Sequence, residues 1–164
     1  MGFFTLETAQ AQLSPGGNFG PWIWDLKLRV EQISPEELRI RLPFDDRIAR
    51  PGGVVIGQAM MAMADTVMVL AICERMGRFA TLATISQTTN FLRAAVRRDV
   101  IGIARAVKVG RSTAFGEVEM FADGSAEPIA QTLSTFAVLP DGAGAFNRAD
   151  SHVGLMSWFR SSQD

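Results

Sequence analysis

The stretch GQAMMAMADTVMVLA, residues 57–71, carries a single charged residue, Asp65, among methionines, alanines and valines. Five of the chain's eight methionines (Met60, Met61, Met63, Met68, Met76) fall in or just after it, and apolar residues occupy nearly every face of a helix drawn through it. That pattern predicts a helix buried all round. A carboxylate in such a helix is costly, on the order of several kcal/mol even after the protein relaxes. Its neighbours three and four residues away are Met61, Ala62, Met68 and Val69, and none can pair with it. A partner has to come from a strand or from another chain. Two readings follow: Asp65 is a structural acid hydrogen-bonded to a strand Ser or Thr, or it faces a cleft as a general base or nucleophile.

The segments around this helix read as strands. Trp24, Leu26, Leu28 and Val30 alternate with Asp25, Lys27 and Arg29, which predicts a strand over 22–34 returning as LRIRLPF, 38–44. Gly77 in RMGR supplies a helix stop. Four further strands are predicted at 83–93, 100–110, 114–122 and 129–139, separated by short turns that favour antiparallel neighbours. A short helix over 5–13 precedes them, ended by SPGGNFGP. The expected fold is α+β, with a curved antiparallel sheet of about six strands curled around one long helix. At 164 residues the chain makes one domain, at 22–140, with an N-terminal lead-in at 1–21 and a Gly-rich tail at 141–164.

Several function classes are excluded or disfavoured. A net charge of −1, from 16 basic and 17 acidic side chains, offers no pull toward nucleic acid. A single Cys (Cys73) and a single His (His152) fall short of a conventional zinc site, so no metal is expected, and a lone cysteine fits a reducing cytoplasm. Cys73, on the apolar helix, reads as an inert thiol, and His152 as a surface residue. Residues 54–73 are long enough to span a membrane, but Gln58, Asp65, Thr66, the alanines and the flanking half-buried strands argue against that.

The approach to the helix, RPGGVVIGQ, places Gly52, Gly53 and Gly57 where unpaired backbone N–H groups and the helix dipole favour developing negative charge. A helix N-terminus beside a carboxylate suggests acyl transfer, with an oxyanion site and a base. Gly57 and Asp65 are eight residues apart, so about 12 Å along one axis, too far to serve one carbonyl. Acting together, they must come from two chains, as two antiparallel helices in a two-fold dimer would allow.

The residues from Arg41 to Pro140 resemble the hotdog-fold acyl-CoA thioesterases of the PaaI-like (phenylacetate-pathway) type. The likeness rests on the Gly57-to-Asp65 spacing, NFLR at 90–93 with Asp99 beyond it, and VGR at 109–111. It implies dimers or dimers of dimers, with Asp65 activating water or attacking the thioester and the Gly57 N–H binding the carbonyl oxygen across the dimer. It implies also that Thr84 orients the water or the carboxylate, and that Ile56, Gln58, Met61, Asn90, Arg93 and Arg111 contact substrate, the two arginines through the phosphates of coenzyme A. Coenzyme A enters as part of the substrate and no separate cofactor is implied. The chain departs from the family's pattern at Ile56, where relatives carry His, and at Arg50, where they frequently carry Asn. Ile56 argues against a dehydratase on the same fold. The expected function is acyl-CoA hydrolysis; the alternative is a non-catalytic acyl-CoA or lipid-binding homo-oligomer that has lost the chemistry.

Overall fold

A computed structural model describes residues 2–140. The expectations for the tail at 141–164, His152 included, lie outside the described residues. Helices α1 (Leu6–Gln12) and α2 (Pro21–Asp25) lead into strands β1 (Arg29–Ile33) and β2 (Leu38–Leu42). A single 3₁₀ turn and a small hairpin, β3 (Ala49–Arg50) with β4 (Val54–Val55), then precede α3 (Gly57–Met76). Strands β5 (Leu82–Phe91), β6 (Val100–Val109), β7 (Thr113–Ala122) and β8 (Pro128–Val138) complete the chain.

Six of these strands form one antiparallel sheet in the order β1-β2-β6-β7-β8-β5. The connection through α3 therefore carries the chain from one flank of the sheet to its far edge, laying the helix across the inner face against β6. Small residues let it approach. A Cβ on Gly102 would lie 3.1 Å from Met63 Cε, and one on Gly116 would overlap Met68 Cε, so both methionine tips occupy space that a side chain would fill. Each methionine is fully buried, and truncating either to Ala should cost about 2–5 kcal/mol. The helix ends as its sequence predicts: Gly77 takes the left-handed conformation at φ 67° and its N–H bonds the last carbonyls.

Two expectations need correction. Residues 22–34 do not form one strand, because Pro21 sits in the first turn of a short helix behind Gly20 and Lys27 adopts a positive φ of 53°, so strand pairing begins only at Arg29. Leu26 and Leu28 are still buried, which is what produced the alternation. Nor is α3 buried all round. Gln58 and Met61 are exposed, and Ala62, Asp65 and Val69 are half-buried, a stripe at helical spacing that this chain's own sheet leaves uncovered.

The N-terminal segment joins the same core. Phe4, Ala9 and Leu13 are buried, and Glu74 near the end of α3, itself 3% exposed, accepts hydrogen bonds from the Phe3 and Phe4 amides at 3.1 and 2.8 Å. The outer face of the sheet is laced with charge. Glu31, displaced at a β1 bulge, pairs with Arg39 and Arg41, and Arg41 also reaches Asp99 and Asp123.

Candidate active site

Edge strand β5 runs alongside the uncovered stripe of α3 and touches it at three successive turns. Thr84 Oγ1 donates to Asp65 Oδ1 at 2.7 Å. One turn back, Gln87 Nε2 donates to the Met61 carbonyl at 3.0 Å, the same carbonyl that the Asp65 N–H meets in the helical ladder. At the helix start the ring of Phe91 presses on Gly57, where an added Cβ would lie 2.8 Å from Phe91 Cζ. Asp65 is thus neither unpaired nor sealed: it is half-buried, with one oxygen fixed by a strand hydroxyl.

A β-bulge makes this ladder possible. The pairing of β5 with β8 slips between Thr84 and Ser86, leaving Ile85 as an extra residue that is 59% exposed. Before the bulge Thr84 faces the helix opposite buried Phe136; beyond it the inward set becomes Gln87, Thr89 and Phe91, opposite Ser134, Thr132 and Ala130. Thr89 and Thr132 bond through their hydroxyls at 2.8 Å.

The start of α3 opens on a cavity of about 670 Å³ lined by Arg50, Ile56, Gly57, Gln58, Met60, Phe91 and Arg93, among others. Ile56 is the N-cap and offers no side-chain bond to the first turn, so the leading amides of the helix have no capping side chain. That leaves donors and the positive end of the dipole at the cavity for an anion or a developing oxyanion.

Of the residues that the sequence puts forward, Ile56, Gly57, Gln58 and Arg93 meet at this cavity, whereas Met61 and Asp65, farther along α3, and Thr84, on β5 beside Asp65, do not line it. Asn90 faces the other way, paired with exposed Gln131 on the outer surface of the sheet. Arg111 sits in the β6–β7 turn, at the end of the sheet opposite to Phe91. Arg93 is engaged, its guanidinium on Glu127 and on the Pro128 carbonyl, both at 2.9 Å. Cys73 is buried, exchanges weak bonds with Ala80, and has its thiol pushed up by burial, as an inert cysteine would.

Sequence reasoning missed Gln87 and Phe91, since strict alternation from Thr84 places both on the opposite face. Arg97, which the sequence offers in the basic run from Arg93 to Arg111 but ranks behind those two, is held at φ 48° with its N–H on the Gly53 carbonyl and its side chain packed against Gly53.

Residues 52–129 match the Thioesterase superfamily. A solved structure from Silicibacter sp. TM1040, provisionally named a thioesterase, is 30% identical, with 84% of this chain and 93% of that one aligned at a TM-score of 0.74. The chain belongs to the thioesterase superfamily. Its architecture is the hotdog fold, which it shares with a thioesterase of Haemophilus influenzae at 22% identity, with 83% and 91% of the two chains covered and a TM-score of 0.73. A Halobacterium salinarum protein provisionally named an esterase is 29% identical over 126 residues, 71% of this chain and 83% of that one. Membership supports thioester hydrolysis in general. Among the described residues no helix is long and apolar enough to cross a membrane.

Proposed function

We propose that the protein is an acyl-CoA thioesterase that works as a two-fold pair, Gly57 of one copy and Asp65 of the other meeting at each site. The observation that carries this reading is the placement of Asp65 on an uncovered stripe of α3, one oxygen held by Thr84, while the same helix begins uncapped at a cavity. A second copy laid antiparallel over the stripe and over β5 brings the two halves together twice, and covers apolar Met61 and Ile85.

In this mechanism the thioester carbonyl oxygen accepts from the Gly57 N–H. Asp65 takes a proton from a water whose oxygen adds to the carbonyl carbon. The C–S bond then breaks, the fatty or aryl acid departs, and the proton passes to the leaving thiolate. In the nucleophilic variant the Asp65 carboxylate attacks first and the C–S bond breaks to expel the thiolate; water then splits the mixed anhydride, releasing the acid, and the proton left on Asp65 passes to the thiolate. Thr84 orients the carboxylate, and the free oxygen lone pairs face the reacting centre. For the thiol carrier, Arg50 at the cavity and Arg97 beside it have no side-chain partner among the described residues and suit phosphate groups.

The test is hydrolysis of short, long and aromatic acyl-CoAs by the purified protein and by Asp65→Asn, whose carboxamide cannot take the proton. Loss of turnover by about 10²–10⁴-fold with unchanged folding is the expected result. Undiminished turnover in Asp65→Asn would defeat the role of the carboxylate, and tight acyl-CoA binding without any hydrolysis would favour the non-catalytic binding protein instead.

A further inference from the structure

Gly57 has a reason to be glycine that lies outside its own backbone. It opens α3 without a left-handed φ, so conformation does not demand it. Space does. The three atoms nearest to an added Cβ are Phe91 Cζ, Cε1 and Cε2, at 2.8, 3.2 and 3.3 Å, so the tip of the ring points end-on at the glycine.

Phe91 is also anchored. Its strand is paired with Ala130 at this position, and the next two amides, Leu92 and Arg93, both donate to the Ile129 carbonyl at 2.8 and 3.1 Å. The Thr89–Thr132 bond pins the strand two residues earlier. The ring itself remains 50% exposed and lines the cavity at the helix start. A large aromatic side chain on a fixed backbone, half open to the cavity and pressed on the first residue of α3, which lines the same cavity, is a wall.

We propose that Phe91 selects the acyl group by its shape at the carbon next to the carbonyl. The inference rests on the reading of the Gly57 N–H as the carbonyl's donor. With that oxygen about 2.9 Å from the amide nitrogen, the neighbouring acyl carbon falls within roughly 5 Å of the glycine. The ring tip already occupies one side of that zone. An unbranched acyl chain passes it, whereas a methyl branch on the first carbon meets the ring. One methyl group against a fixed wall separates substrates by roughly 10–200-fold.

Butanoyl-CoA and 2-methylpropanoyl-CoA are isomers that differ only in this branch. The wild-type protein should favour butanoyl-CoA in kcat/KM by at least ~10-fold, Phe91→Ala should bring the two to within ~3-fold, and Phe91→Leu should fall between. Because the side chain is half exposed, Phe91→Ala removes little buried surface and its folding is checked by thermal melting. A ratio that stays the same in both variants, or that starts with the branched ester preferred, overturns the proposal. If the wild type hydrolyses neither ester, the thioesterase reading is decided separately, on the long and aromatic acyl-CoAs. The same pair is then compared as ketone analogues, with CH₂ in place of sulfur, by calorimetry. A preference for the linear analogue that Phe91→Ala abolishes supports the wall, and equal affinities in wild type and variant refute it.

Discussion

Thr84 Oγ1 lies 2.7 Å from Asp65 Oδ1, so the edge strand of the sheet holds the one carboxylate on the open stripe of the central helix. The contact engages Oδ1 through one of its two lone-pair sites and so sets the orientation of the carboxylate. Thr84→Val keeps the shape and removes the donor. If Thr84 positions the carboxylate, kcat should fall by about 10-fold with KM nearly unchanged, and Thr84→Ser should restore most of it. Steady-state kinetics on the three proteins decide this; a change confined to KM would assign Thr84 to substrate binding instead.

The Phe91 ring and Gly57 should be energetically coupled. Gly57→Ala forces the ring tip aside, since the new Cβ would sit 2.8 Å from Cζ, but in the absence of the ring the same methyl group meets open cavity and favours the helix. Gly57→Ala alone is expected to be neutral or destabilising, and Gly57→Ala in a Phe91→Ala background stabilising, with a coupling of about 1 kcal/mol. Urea unfolding of the four proteins measures it, and additivity to within a few tenths of a kcal/mol would mean that the ring yields freely.

Glu74 fastens the N-terminus to the core. Its two oxygens satisfy the Phe3 and Phe4 amides while Phe4 packs inside, so Glu74→Ala leaves two donors without their acceptor. A loss of about 2 kcal/mol is expected, with a smaller loss for Glu74→Gln, which keeps one carbonyl oxygen. Amide hydrogen exchange provides the specific readout: the Phe3 and Phe4 protons should exchange faster in Glu74→Ala by more than the global destabilisation explains.

The charged outer face predicts an acid-sensitive stability. Burial raises Glu31, but the Arg41 and Arg39 guanidinium groups outweigh it and hold the carboxyl below its ordinary 4.5; Arg41 likewise holds Asp123 below 3.8. Arg47 lowers Asp45 to about 2. A carboxylate whose folded pKa is depressed contributes stability that is complete above its unfolded value and disappears as pH falls through the folded one. The melting temperature should therefore hold steady above about pH 5 and decline from pH 4.5 toward 2, more gently in high salt. Arg41→Met should lower the melting temperature by about 3–6 °C at neutral pH and flatten that acid decline. An unchanged slope would mean that the Arg41 cluster is not what titrates.

The long helix, its stop at Gly77, the six strands and the lone acid were all legible from the chain alone, because each depends on a pattern a few residues long: helical crowding of apolar side chains, period-two alternation, a glycine free to turn left-handed. Alternation misled at 22–28, where Leu26 and Leu28 are buried without being in a strand. What only the tertiary structure decided is which side chains stand together. The slip at Ile85 turns Asn90 outward and Phe91 inward, and brings Gln87 under Met61, yet nothing in TISQTTNF announces it, because a bulge exists only relative to the partner strand. The uncovered stripe around Asp65 is of the same kind. Burial of a helix is set by where the sheet wrapped around it ends, and that edge is a property of the whole sheet rather than of any segment.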